Sequence, residues 1–411
     1  MKQKRNWLKS TIIVILCAML SGCWDMTEIN RSSLITGIAI EPGGKDGKRK
    51  VTFEILNTAE AQALNPGKGG TPTTLYTSEG NSITDTVTKL NDKAERLLLT
   101  AHNRIVVIDE RIARKGLFPY MDVFQRSRYM REDIILLVAH NVPASQLLQI
   151  TYPGGMYASL KLQTQVENFG DRWGGVPASR LFDYTQATLT EGREMILAAV
   201  TLQGNAGKSG NMDSIKALKP DAVVKMSGSA VFREDKLIGF INADETRFVN
   251  IVRNKLKATS LSVPMGQKDQ FASLRYRHNH ASMEVTMKGK IPHIRVHIEG
   301  EGQIANIQEQ FPLDKVEGYA EMEQRTAAYL NAQVKETIAK VQQDFGVDVF
   351  GFGEHLYRHR FKQFKPIMRD WNALFAKAQV EVTSEIHITH SDLKTKQLRR
   401  ESMGISERYG R

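Results

Sequence analysis

Short apolar runs and two periodicities organise the chain. Leu34-Ile35-Thr36-Gly37-Ile38-Ala39-Ile40 reads as a strand and Lys50-Val51-Thr52-Phe53-Glu54-Ile55-Leu56 as its partner. Pro42-Gly43-Gly44-Lys45-Asp46-Gly47 between them is turn chemistry. Residues 57–78 are polar and rich in Gly, Pro and Thr, which predicts a loop. Ile83, Val87, Leu90, Ala94, Leu97 and Leu98 recur at helical spacing and predict one helix facing a core. Arg104 to Ile108 is a compact strand, followed by a short helix over Glu110–Lys115 that ends near Gly116. Ile134 to Ala139 has few polar interruptions, which predicts a strand buried on both faces. A helical stretch from about Ala178 leads to Gly192 and then to a strand over Ile196–Leu202.

Residues 203–219 are glycine-rich and polar and mark the first candidate boundary. Val223–Phe232 and Lys236–Ile241 read as a hairpin across Arg233-Glu234-Asp235, with a short helix expected near Glu245–Lys255. Two strands over 284–300 break at Gly289. The second places Ile294, Val296 and Ile298 on one face and Arg295, His297 and Glu299 on the other. Leu313 to Asp344 holds the longest helical pattern, with an apolar stripe through Val316, Tyr319, Met322, Thr326, Tyr329, Leu330, Val334, Ile338 and Val341. A helix at Ile367–Phe375 and an alternating strand at Val380–Ile388 complete the pattern. The fold class is α+β, or mixed α/β: three domains with mixed β-sheets flanked by helices. The expected divisions are a lipoprotein signal peptide at 1–22, a membrane-proximal tether at 23–33 and an N-terminal α/β domain at 34–203. A middle domain at 220–300, a C-terminal α/β domain at 301–393 and a basic tail at 394–411 follow.

The first thirty residues follow a different logic. Lys2, Lys4, Arg5 and Lys9 precede an uncharged run from Ser10 to Trp24 whose centre is apolar. A basic segment followed by a short hydrophobic one is the order of an export signal. Spanning a bilayer takes about 20 apolar residues, so the run is short for a permanent anchor. Leu20-Ser21-Gly22-Cys23 then resembles the lipobox of bacterial lipoproteins, in which Cys23 takes a diacylglycerol thioether and becomes the first mature residue. Two or more acyl chains hold a protein firmly where one holds it marginally. The alternative is an ordinary secretory signal, or an uncleaved anchor, with a coincidental cysteine.

The chain has two cysteines, Cys17 inside the signal and Cys23 at its end. With Cys23 lipidated, thiol catalysis, cysteine metal sites and disulfides are excluded from the mature protein. The formal charge of +11 loses four positive residues with the signal, which leaves a basic body suited to lie near an anionic bilayer. Export argues against nucleic acid as the partner of that charge, and no aromatic platform interleaves with it.

Candidate chemistry is sparse. His355 and His359 would share a helix face, but Leu356, Tyr357 and Arg358 between them supply neither ligand nor base. His278 and His280 are crowded by Arg275 and Arg277. No G-x-S-x-G elbow is present, and Gly204, Gly207, Lys208 and Ser209 are too closely spaced for a phosphate loop. No catalytic residue, metal or cofactor is therefore expected. Arg126, Arg128 and Arg131 form a patch able to hold a carboxylate or a partner's acidic loop. The plainer reading is a solvated face paired internally with Asp122, Glu132 or Asp133.

Several blocks together resemble the Ger(x)C family of spore germination lipoproteins, the C subunits of nutrient germinant receptors. They are Gly22-Cys23-Trp24-Asp25 with Glu28-Ile29, and Leu97 to Ile108 followed by Glu110 and Ala113. Arg126 to Arg131, Gly228 to Phe232 running through Asp235 to Gly239, and Asp348-Val349-Phe350-Gly351-Phe352-Gly353 follow in the family's order. Leu98-Leu99 stands where the family usually carries an aromatic. The resemblance implies a three-domain mixed α/β protein without an enzyme's active site, assembled with membrane-embedded A and B subunits in the inner membrane of the dormant spore. On this reading Cys23 is the lipid site, and Asp25, Glu28, Arg126, Arg128 and Arg131 are candidate partner contacts. The nutrient ligand is expected to bind mainly on a partner. Two rival classes are a lipid-anchored solute-binding protein, whose two similar lobes are not evident, and a cell-envelope enzyme. For the latter, Glu321 and Glu323 lie two apart on a predicted helix and face differently.

Overall fold

The structure, a computed structural model, describes Trp7 and residues 32–391, apart from 45–46, 58–70, 153–155, 206, 208, 211–212, 215–216, 267–268, 309–310 and 314. Strands β1 (Ser32–Pro42) and β2 (Arg49–Leu56) form the expected antiparallel pair, with Ile38 opposite Phe53 and Ile40 opposite Val51. β3 (Thr73–Gly80) adds to the outer side of β2. The expected loop therefore gives way to a strand at Thr73. Threonines and Tyr76 suit a half-exposed edge strand, where no apolar run advertises the element.

Helix α1 (Ile83–Leu90) begins at Ser82, whose hydroxyl accepts from the Asp85 amide at 3.0 Å. It stops at Leu90, short of the helix expected through Leu98. Asn91, Asp92 and Lys93 turn the chain, and Leu97–Leu99 form β4, parallel to the start of β1. Leu97 and Leu98 shared the helical spacing by coincidence.

β5 (Ile105–Asp109), α2 (Glu110–Lys115), α3 (Phe118–Arg126) and β6 (Ile135–Ala139) follow, then α4 (Ala144–Gln149), α5 (Ala158–Arg172), α6 (Leu181–Leu189) and β7 (Ile196–Gly204). β1, β5, β6 and β7 lie parallel and adjacent, and every residue of β5 and β6 is buried, as their unbroken apolar runs require. β8 (Ala222–Arg233) and β9 (Lys236–Ile241) form the expected hairpin and close this sheet antiparallel to β7. Its order is β3-β2-β1-β5-β6-β7-β8-β9, with β4 beside β1. The glycine-rich stretch after β7 thus links two neighbouring strands of one sheet.

After α7 (Ala243–Val252), a second sheet is built from β10 (Ala258–Pro264), β11 (Phe271–Lys288), β12 (Ile291–Ile307) and β13 (Gln379–Ser391), in that order. Ile294, Val296 and Ile298 point into its core, as their alternation predicts. α8 (Val316–Asp344) is one unbroken helix packed along β13 through Met322, Leu330, Val334, Ile338 and Val341. α9 (Phe352–His359), α10 (Phe361–Phe364), a 3₁₀ turn at Lys365–Asp370 and α11 (Trp371–Phe375) lead into β13. The fold is mixed α/β, with two sheets flanked by helices. No helix among the described residues is long and apolar enough to cross a membrane.

Two buried acids pin helices to the first sheet. The Glu54 carboxylate accepts from the Thr36 hydroxyl at 2.9 Å and from the Ala158 and Ser159 amides at 2.9 and 3.1 Å. Those amides open α5, which has no side-chain cap of its own, so a strand residue performs the capping and meets the positive end of the helix dipole. Burial pushes the Glu54 carboxyl above the usual carboxylate range, against the pull of these donors. Glu41 does the same for α4, accepting from the Ser145 amide at 3.1 Å and hydroxyl at 2.9 Å, with Lys50 at 3.0 Å. Replacing Glu54 with Ala strips these donors of their partner and is expected to cost about 2–4 kcal/mol. Urea unfolding measures this, and a loss below about 0.5 kcal/mol would refute the capping role.

Candidate functional site

The most concentrated polar structure lies where the two sheets meet. Asp348 is fully buried. One of its carboxylate oxygens accepts from the Phe350 amide at 3.0 Å and the Gly351 amide at 2.8 Å. The other accepts from the Gly353 amide at 2.8 Å and the Trp371 indole N–H at 2.9 Å. The loop 348–353 is thereby wound around a single carboxylate. Gly351, with φ at 94°, adopts the left-handed conformation that this winding needs. Burial still outweighs the four donors and pushes the Asp348 carboxyl up to about 6.

The same loop grips the first sheet. The Glu194 amide donates to the Asp348 carbonyl at 2.7 Å, and the Glu354 amide donates to the Gly192 carbonyl at 3.0 Å. A Cβ on Gly192 would stand 2.4 Å from the Gly353 carbonyl carbon, so two glycines permit the backbones to touch. Asn372 bridges further: its Nδ2 donates to Glu194 at 2.7 Å and its Oδ1 accepts from the Asp348 amide at 3.1 Å. The other Glu194 oxygen accepts from the Glu234 amide in the β8–β9 turn at 2.7 Å. Burial raises the Glu194 carboxyl above its ordinary range. Arg193 pairs with Glu354 at 2.8 Å, both largely buried, and Arg233 donates to the Phe345 carbonyl at 2.8 Å. Around this polar seam runs continuous apolar packing, in which Ile196, Val231 and Ile241 of the first sheet share a core with Val349, Phe350, Phe352 and Phe375.

The residues singled out from sequence fare differently. Cys23, Asp25 and Glu28 lie outside the described residues. Arg126, Arg128 and Arg131 sit at the end of α3 and in the exposed turn before β6. Arg126 pairs with Asp122 at 2.9 Å and Arg131 with Asp133 at 2.6 Å. Arg128 lies 4.6 Å from the centre of the Tyr129 ring. His355 and His359 share a face of α9, with ring centres 4.5 Å apart, and burial lowers the His355 pKa. No group of three metal-ligating side chains occurs among the described residues. The sequence marks Asp348 and its glycines only as a block of family resemblance, because a carboxylate that serves backbone amides leaves no spacing motif.

Two family models match the chain: a spore germination protein N-terminal domain over residues 25–202, and a spore germination B3/GerAC-like C-terminal domain over 227–392. Spore germination protein KC of Bacillus subtilis (strain 168) is 24% identical over 396 residues, covering 95% of this chain and 97% of that protein. Spore germination protein YndF of the same organism is 25% identical over 429 residues, covering 95% and 98%. Among solved structures, the crystal structure of the GerBC protein superposes with a TM-score of 0.54 at 15% identity, covering 86% of this chain and 96% of that one, a likeness of fold.

Asp348 binds its proton more tightly when folded than when unfolded, since its carboxyl rises from an ordinary 3.8 to about 6. Its contribution to stability is therefore largest below pH ~4 and falls as the pH rises through ~6. The cost of Asp348→Ala, measured by denaturant unfolding against the parent, should be greater at pH 4 than at pH 7. A cost that grows with pH would contradict the assignment.

Proposed function

The chain belongs to the spore germination B3/GerAC-like family, and from that premise we propose that it is the lipid-anchored extracytoplasmic subunit of a nutrient germinant receptor. Members of this family are non-catalytic germination proteins. The subunit acts as a scaffold or coupling element beside membrane-embedded A and B subunits, at the inner membrane of the dormant spore. The observation that carries this reading is the ordered match of both family models, which together take in both sheets.

The chemistry of the chain supports the role. Lipid on Cys23 would confine the body to the membrane surface and raise its effective concentration beside embedded partners. The junction gives the body a means of coupling, because a force on one sheet reaches the other through hydrogen-bonded backbone rather than through a linker. Biasing a receptor between resting and signalling states takes only ~1–3 kcal/mol of differential contact energy. Nutrient recognition falls mainly to a membrane partner, with Asp25, Glu28 and the Arg126–Arg131 turn as contact surfaces on this subunit.

Replacing Cys23 with Ala should release the protein from the spore membrane fraction and impair the nutrient response, while leaving germination by non-nutrient triggers intact. Fractionation with immunoblotting and optical-density assays of germination read both. Full membrane retention with a normal nutrient response would overturn the anchored-subunit reading.

A further inference from the structure

A cleft of about 370 Å³ opens beside the junction, between the end of α5, the start of α6 and the end of α7. Four cationic side chains line it: Arg180, Arg253, Lys255 and Lys257. Three carboxylates line it too, and each is already engaged. Asp171 pairs with Lys257 at 2.8 Å, Asp183 accepts from the Arg180 backbone amide at 2.9 Å, and Glu167 accepts from the Gln163 amide at 3.3 Å. Among the described residues, Arg180, Arg253 and Lys255 have no carboxylate at ion-pair distance.

Arg253 is the most telling of these. It follows directly on α7, and its Nε is buried without a hydrogen-bond partner. Burial, reinforced by the positive charge of Arg193, pulls the guanidinium down to about 10, so at neutral pH it remains a cation. The side chain is half-buried, and a partly desolvated charge without a bonded counter-ion favours a site where something else supplies the opposite charge. The guanidinium offers a planar fork of donors matched to an oxyanion, and Lys255 adds an exposed point charge at the mouth. Asn250 lines the same cleft, almost fully buried, with its Oδ1 unpartnered while its Nδ2 donates to the Gly174 carbonyl at 2.8 Å. That acceptor suits a ligand carrying a hydroxyl beside its anionic oxygens, as hydrogen phosphate and phosphoglycerol do.

We propose that this cleft binds a phosphate group through Arg253, Lys255 and Arg180, presented either by a free anion or by the headgroup of an anionic phospholipid. The charges of Arg193, Glu354 and Asp348 at the junction also act on Arg253. The inference stands whether or not the receptor role does.

The test is thermal unfolding of the detergent-purified full chain in inorganic phosphate against chloride at equal ionic strength and pH 7. Phosphate should raise the melting temperature in a saturable manner. Arg253→Gln, and separately Lys255→Gln, should weaken the apparent phosphate affinity by roughly tenfold or more. Lys255 is exposed, so its variant keeps the test valid if Arg253→Gln folds poorly. Short-chain phosphatidylglycerol, compared with short-chain phosphatidylcholine, separates the sources. Stronger protection by the glycerol lipid, lost in Lys255→Gln, assigns the headgroup, and protection by inorganic phosphate alone assigns the free anion. No phosphate-specific stabilisation of the parent, or undiminished stabilisation in both variants, would overturn the proposal.

Discussion

One buried carboxylate holds the molecule's two sheets in a fixed relation. Asp348 gathers three backbone amides and an indole N–H, and the loop it winds presents Gly353 and Glu354 to Gly192 and Arg193 in the turn that leads into β7 of the first sheet. A buried acid with fewer donors would be costly, and so would these donors without the acid. Loss of the carboxylate leaves several groups unsatisfied at once. The glycines on either side of the contact serve the same end, since a Cβ on Gly192 or on Gly353 would fall within 3 Å of the opposing backbone.

The first sheet uses the same device at its other flank. Glu54 and Glu41 rise from strands to cap α5 and α4, so helix placement depends on strand residues rather than on caps inside the helices. In each case polar burial fixes geometry where apolar packing alone would allow sliding. A body built this way suits the coupling role proposed above. The core strands β1, β5, β6 and β7 pair in parallel, the long α8 packs along β13, and the seam between the sheets is stitched by hydrogen bonds.

Much of this was legible in the sequence. The unbroken apolar run at Ile134–Ala139, the alternation of Ile294, Val296 and Ile298, and the stripe from Met322 to Val341 each produced the element they predict. The family resemblance, carried by blocks spread along the chain, is matched by two family models. β3 was hidden because an edge strand half open to solvent needs no apolar pattern. α3 and α4 were hidden because their buried positions, such as Tyr120, Met121 and Phe124, cluster over barely two turns. α5 offers only a narrow stripe through Ala158, Leu162 and Val166. The junction was hidden for a deeper reason. Its partners, Gly192, Glu194, Asp348 and Trp371, are far apart in the chain, and most of its bonds are to backbone, which carries no residue code.

Through Asp348 the two sheets form one cooperative body. Differential scanning calorimetry addresses it directly. The parent should unfold in a single transition, and Asp348→Ala should split it into two, one for each sheet. A variant that still unfolds in one transition, merely at a lower temperature, would show that apolar packing alone couples the sheets and would contradict the claim.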